Sequence, residues 1–235
     1  MGDSLASLKQ LFTVGHSDHE LQAFIKLLRR NDIDAVVDVR SVPFSQRSPQ
    51  FNRDVLEQFL PAQQIHYSFL GEELGARRAE AECYFGGKAR YDLIRKTPLF
   101  REGIARMVEA ASSQRVALMC AESDPITCHR SILICREVRQ SFAAIQHILP
   151  SGRLESQMES ERRLLRLFNL DDGDLFQDVA ALIENAYDQQ GERIAYVVRT
   201  GDGRRFAPKE LTDDDQTIHD WVHQEDCGDV FRSPP

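Results

Sequence analysis

Along the chain, short apolar runs alternate with segments whose apolar residues recur every three or four positions. LFTVG at 11–15 ends on Gly15; Ser17 or Asp18 can then cap a helix in which Leu21, Phe24, Ile25, Leu27 and Leu28 fall at helical spacing. The pattern predicts a strand followed by a helix. Asn31 and Asp32 break it, and AVVDV at 35–39 is a β-branched run of the kind buried on both faces of a parallel sheet. Pro43 and Pro49 prevent regular pairing over 41–52, which reads as a loop. A short helix over 53–61 and a strand at 65–69 follow. The stretch 71–91, punctuated by Gly71, Gly75, Gly86 and Gly87, reads as a long polar connection, a kind that is often functional inside a compact domain.

Further on, Phe100, Ile104, Met107 and Val108 form the apolar stripe of another helix, 115–120 is a buried strand, 131–142 an amphipathic helix and 144–149 a last strand. Strands alternating with helices at this spacing predict an α/β fold over residues 1–170: an open, mostly parallel sheet with helices on both faces. Right-handed crossovers would bring 15–17, 38–40, 71–73 and 120–130 to one edge, at the carboxyl ends of the strands where such folds bind ligands. Beyond 150 the pattern changes. A helix over 156–168 leads to Asp171-Asp172-Gly173-Asp174, then a helix over 175–189, a hairpin formed by 194–198 and 204–206 around Gly201 and Gly203, and a helix near 212–224 carrying Trp221. Residues 171–235 therefore read as a small α+β appendage.

Charge sharpens that division. The net −8 over 235 residues is uneven: 171–235 hold 16 acidic and 6 basic side chains, a net −10, whereas 1–170 hold 21 acidic and 23 basic, a net +2. An acidic chain of this kind can still attract an anion locally. No run approaches the roughly 18 apolar residues of a membrane span, and the start lacks the layout of a secretory signal, so a cytoplasmic protein without a membrane partner is expected. Five cysteines, an odd number in a chain long enough to bury a core, argue for reduced thiols rather than a disulfide framework.

The densest chemistry lies between the strand at 115–120 and the helix at 131–142: Cys120, Glu122, Thr127, Cys128, His129, Arg130 and Ser131. Unpaired N–H groups at a helix start, with Thr127, His129, Arg130 and Ser131, would suit a phosphate. The same surroundings favour a thiolate, which makes Cys128 a candidate nucleophile. Cys120 and Cys135 are expected to fill the core, and Thr127 or Ser131 could simply cap the helix. The spacing is not the Cys-x5-Arg loop of cysteine phosphatases or rhodaneses. Cys120, Cys128, His129 and His16 are also soft metal ligands, but Cys-x7-Cys-His matches no close-paired zinc pattern, so no metal or cofactor is assigned and zinc is kept as the lesser alternative.

Asp38, Glu72 and Glu122 each follow a strand and could divide acid and base roles in one cleft. The plainer alternatives are a solvated loop for Glu72 and an ion pair with Arg40 for Asp38. His16 is either a general base or a packing histidine, while Gly15, Ser17 and Arg40 sit where a phosphate would be held. Basic and aromatic residues interleaved over 40–96, such as Arg47, Arg77, Lys88, Phe44, Tyr67 and Tyr91, suit phosphate contact with base stacking, or else a solvated basic face.

Five segments, in order, resemble one family: Thr13-Val-Gly-His-Ser17, Asp38-Val-Arg-Ser-Val-Pro43, Phe69-Leu-Gly-Glu-Glu-Leu-Gly75, Cys120-Ala-Glu122 with Cys128-His129-Arg130, and His147-Ile with Gly152. They are similar to the bacterial and archaeal proteins designated domain of unknown function 488, over about residues 10–170. The resemblance implies an α/β fold with these segments lining one cleft, and it brings no established reaction. The resulting expectation is an enzyme, a hydrolase or transferase, acting on a phosphate-bearing small molecule or a nucleic acid. A non-catalytic nucleotide or nucleic-acid sensor is the first alternative, and a thiol- or metal-dependent protein the second.

Overall fold

A computed structural model describes residues 10–171 and 178–198. β1 (Gln10–Gly15) leads through α1 (Leu21–Arg30) to β2 (Ala35–Asp38), and α2 (Arg53–Ala62) leads to β3 (His66–Phe69). The connection expected to be irregular over 71–91 holds α3 (Gly71–Leu74) and a hairpin of β4 (Tyr84–Phe85) with β5 (Lys88–Ala89); α4 (Tyr91–Ile94) follows at once. These elements are too short to leave a periodicity in the sequence. α5 (Pro98–Ser113) starts where Thr97 Oγ1 accepts from the Phe100 N–H and proline takes the first helical position. β6 (Val116–Cys120) then runs buried along its whole length.

The chain beyond β6 differs from the expected amphipathic α-helix. Arg130–Cys135 winds as a π-helix, continued by α6 (Arg136–Val138), and its residues are buried on every side. β7 (Ala144–Ile148) and β8 (Leu154–Ser156) form a hairpin that the pattern did not reveal, and α7 (Gln157–Leu167) follows behind a capping box of Ser156 and Glu159. α8 (Val179–Ile194) begins at Asp178, whose side chain accepts from the Ala180 N–H.

The six strands lie in the order β3-β2-β6-β1-β7-β8, parallel except for β8. Alternation along them divides the core in two. Leu11, Val37, Leu118 and Cys120 face one layer with Phe100 and Ile132, while Phe12, Val36, Ala117 and Met119 face the other with Phe24 and Leu56. Helices therefore cover both faces, each fully buried Leu, Ile or Phe contributing about 1.5–3 kcal/mol. β3 is less buried than its apolar run suggests, because it is the sheet edge.

Of the appendage expected over 171–235, the described part is Asp171 and residues 178–198. Ala186, Tyr187 and Ala195 belong to the same buried cluster as Ile132 and Leu133, so α8 closes the core that the π-helix would otherwise expose. In the segment expected to be the hairpin's first strand, α8 runs on to Ile194 and Val197 bridges to Lys88; the turn, the second strand at 204–206 and the helix with Trp221 lie outside the described residues. No helix among the described residues is long and apolar enough to cross a membrane.

Candidate functional site

The strand order creates a crevice. β1 and β2 both send their chains toward α1 and α2 on one face, while β6, lying between them, sends its chain to the π-helix on the other. Loops that part in this way at the carboxyl ends of adjacent strands form the usual ligand crevice of such sheets. Register brings the strand ends level, with Gly15 beside Cys120 and Asp38 beside Met119. Beyond the strands, the N–H groups of His16 and Ser17 continue the ladder to the carbonyls of Cys120 and Ala121, both at 2.8 Å. Gly15 is required there: a Cβ would stand 1.9 Å from the Glu122 carbonyl oxygen. Gly71 has the same role toward Arg40, whose carbonyl oxygen would lie 2.0 Å from an added Cβ.

On the β2 side, charge is satisfied internally. Asp38 Oδ1 accepts from Arg40 Nε at 2.9 Å, and Oδ2 accepts from Arg40 Nη2 at 2.6 Å and the Tyr67 hydroxyl at 2.8 Å. Arg40 also donates to the Phe51 carbonyl (2.8 Å) and, through Nη1, to His16 Nε2 (3.1 Å). Burial, then the Arg40 charge, lowers the His16 pKa to about 4 and leaves the ring neutral, stacked on Phe51 at 4.4 Å. Its Nε2 lone pair faces the Arg40 guanidinium, which makes the packing role the better description of this histidine. Asp38 and Arg40 likewise form a buried pair.

The β6 side is arranged otherwise. Glu122 Oε2 lies 3.0 Å from both Cys120 Sγ and Cys128 Sγ, and His129 Nδ1 lies 3.6 Å from the first sulfur and 4.0 Å from the second. These four ligand-type atoms all fall within 4.8 Å of one another. Cys120 and Glu122 converge because residues two apart at a strand end share a side. Adjacent Cys128 and His129 converge because the backbone changes from extended at Cys128 (φ −128°, ψ 140°) to helical at His129 (φ −60°, ψ −26°). His129 Nε2–H donates to the Val39 carbonyl at 2.9 Å, which orients Nδ1 toward the sulfurs.

Burial pushes the Cys120 thiol well above the ordinary range, and the neighbouring Cys128 adds to this. At Cys128 burial acts the same way, but the hydrogen bond from Cys120, the Arg130 charge and His129 outweigh it and hold this thiol well below. Glu122 is an exposed residue, but partial desolvation of its carboxyl group against the two sulfurs, and then Cys128, raise it, while His129 is raised by Cys128 against the effect of its burial.

Arg130 lies beneath this cluster, 0% exposed. It donates to the Glu122 and Ser123 carbonyls at 2.6 and 3.2 Å and to Thr13 Oγ1 at 3.2 Å, so its guanidinium holds the β6 loop against β1. Thr13 passes the bond to His147 Nδ1 (2.8 Å), and His147 Nε2–H donates to Gln157 at 3.0 Å. The N–H groups expected to cradle a phosphate are engaged as well: those of Ser131 and Ile132 reach the Cys128 carbonyl, and that of Arg130 faces Cys128 Sγ at 3.5 Å. Thr127 Oγ1 donates to the Asp124 carbonyl rather than capping the helix.

Two adjoining cavities open over this edge, of about 240 and 490 Å3. Arg40, Glu122 and Thr127 line both; Cys120, His129, Arg77 and Tyr196 line the first, and His16, Ser17 and Arg47 the second. Gly15, Asp38, Cys128, Arg130 and Ser131 lie beneath the groove, and exposed Glu72 lies outside these two cavities. Cys120, assigned to the core from sequence, is the thiol that faces the groove; its two-residue spacing from Glu122 was the available signal. The basic rim is largely neutralised: Arg53, Arg78, Lys88, Arg90 and Arg95 pair with Glu57, Glu80, Glu192, Asp92 and Glu137. Arg77 makes no ion pair among the described residues and stacks on Tyr196 at 4.6 Å.

Fold and site together define an α/β protein with a thiol, carboxylate and imidazole cluster at the carboxyl edge of its sheet. Residues 20–136 match the family model described as Domain of unknown function DUF488, the family whose segments the sequence resembles. The matched segment includes Asp38, Arg40, Cys120, Glu122, Cys128, His129 and Arg130. No curated protein and no solved structure matches the chain.

Proposed function

We propose that the protein is an enzyme, a hydrolase or transferase, acting on a small phosphate-bearing substrate in the groove over β1, β2 and β6. One observation carries the reading: Cys120, Glu122 and His129 open from the buried cluster into a concave groove that also presents Arg77. Reactive groups in a crevice of this type are the usual mark of an active site. Arg77 is the anion-facing cation in this reading, replacing Arg40 and Arg130, whose donors serve the fold; exposed Arg47, on the wall of the second cavity, pairs with Asp18 at 3.3 Å. Ser17 and Thr127 on the groove wall can supply further donors. The extensive pairing along the basic rim favours a small molecule over a nucleic acid, which would need a row of free cations.

Thermal-shift measurements with inorganic phosphate, nucleoside mono- and diphosphates and phosphosugars test this reading. A subset should raise the melting temperature, and Arg77→Ala should abolish the shift while leaving the unliganded protein unchanged. A flat response across the panel would remove the phosphate assignment. Turnover of a stabilising ligand that is lost in Glu122→Gln would separate an enzyme from a sensor; retention of binding with no turnover in the parent protein would favour the sensor.

A further inference from the structure

We infer that Cys120, Cys128, His129 and Glu122 form a site for one thiolate-preferring divalent metal ion, zinc first, with Glu122 as the ligand that can be exchanged. The inference deepens the reading of the groove as an active site but does not depend on its substrate.

Distances decide in its favour. A tetrahedral zinc ion bound at about 2.0–2.3 Å requires its ligand atoms to be roughly 3.3–3.8 Å apart. Here each sulfur is 3.0 Å from the carboxylate oxygen, and the sulfur-to-nitrogen distances are 3.6 and 4.0 Å. All four ligand atoms lie within 4.8 Å of one another, so side-chain movements of at most about 1 Å would admit the ion. Two thiols, an imidazole and a carboxylate are a donor set suited to zinc or ferrous iron rather than to magnesium or calcium.

The surroundings have the form of a metal site. The bond from His129 Nε2–H to the Val39 carbonyl is the outer contact that usually orients a ligating histidine and leaves its other nitrogen free to bind. Charge closes as well: two thiolates and a carboxylate balance a divalent ion together with the buried Arg130 guanidinium. Although Cys-x7-Cys-His matches no close-paired zinc pattern, the turn between Cys128 and His129 brings both side chains to one centre.

Exposure separates the ligands. Cys120, Cys128 and His129 are 3, 1 and 9% exposed, whereas Glu122 is open to solvent and lines both cavities. Three ligands are thus fixed by the fold, and the fourth lies on the groove side. When the Glu122 oxygen leaves the ion, a water or substrate oxygen can enter that position without change of oxidation state. An exchangeable position of this kind distinguishes catalytic from structural zinc.

The test uses the full chain without a polyhistidine tag, stripped with a chelator and titrated with Zn(II) or Co(II). We expect one ion per chain, an intense thiolate-to-cobalt absorption, and slower alkylation of Cys120 and Cys128 once Zn(II) is bound. Cys120→Ser and Cys128→Ser should each lower affinity by at least about 100-fold, at or beyond the upper end of the loss typical of outer-shell changes. Glu122→Gln should keep the thiolate band and lose about 10-fold, and Cys135→Ser should bind as the parent does. The inference is overturned if reduced parent protein binds no stoichiometric ion at micromolar Zn(II), if the cobalt complex lacks the thiolate band, or if alkylation is unaffected. Recovery of Cys120 and Cys128 as a disulfide that excludes metal would also overturn it. The alkylation measurement needs no variant, so misfolding of a serine variant does not decide the result. A phosphate panel that fails while zinc binds would remove the substrate assignment alone, and the reverse result would remove the metal site alone.

Discussion

The two sides of the groove use similar residue types in opposite ways. On the β2 side, Asp38, Arg40, His16 and Tyr67 satisfy one another, with both carboxylate oxygens, the guanidinium and the ring nitrogens engaged. On the β6 side, one Glu122 oxygen serves both sulfurs while one imidazole nitrogen makes longer contacts with the same two atoms, at 3.6 and 4.0 Å. A buried polar group gains stability only when its partners are complete. The first side is therefore framework, and the second is where the proposed ion would bind.

Breaking the framework should have the largest effect. Asp38→Ala leaves the Arg40 guanidinium buried without its counter-charge, a change that typically costs about 3–5 kcal/mol. Equilibrium denaturation should show that loss, whereas Glu122→Gln on the other side should change stability by less than about 1 kcal/mol. Similar losses for the two variants would end the distinction between framework and receiving site. Gly15→Ala joins the two sides, since its methyl meets the Glu122 carbonyl. It should cost about 1–3 kcal/mol and displace Glu122, weakening zinc binding as a second readout.

How much of this was legible in the sequence follows the range of the interactions. The five parallel strands could be read because alternation and β-branched runs are local, and the Asp38–Arg40 pair was foreseeable from a separation of two residues. β8 and the β4–β5 hairpin were not, because two or three residues carry no period. The burial of the π-helix depends on α8, about fifty residues later, so its outer face reads as solvent-facing until the partner is known. The individual residues of the cluster were visible, but its geometry depends on a backbone turn at Cys128 that side-chain identity does not encode.

Acid should probe the support under the β6 side. Burial, then the Arg130 charge, lowers the His147 pKa to about 3, so the folded protein keeps this ring neutral while the unfolded chain protonates near 6.5. Between those values the unfolded state binds more protons, and stability must fall as pH falls, by up to about 1.4 kcal/mol per pH unit from this group. Denaturation at pH 7, 6 and 5 should show the decline, and His147→Gln should lower stability at pH 7 but flatten the slope. An unchanged slope would place the acid sensitivity outside the chain of bonds from Arg130 through Thr13 to His147.

The smallest effects separate the paired rim from the cation at the groove. Arg53 and Glu57 are each 46% exposed, and such pairs contribute between nothing and about 1 kcal/mol because water already solvates both ions. Arg53→Ala should shift stability by less than about 0.5 kcal/mol and leave any phosphate-induced thermal shift intact. Arg77→Ala should be equally mild in the unliganded protein, since this guanidinium forms no ion pair among the described residues and stacks on the Tyr196 ring. The two variants should then differ only when inorganic phosphate or a responding phosphate ester is added, with the shift lost for Arg77 and kept for Arg53. A loss in both would assign anion attraction to the general field of the rim, because removing either charge would then act without contact. A loss at Arg77 alone requires a short-range interaction at the mouth of the first cavity, on the same side as Cys120, Glu122 and His129.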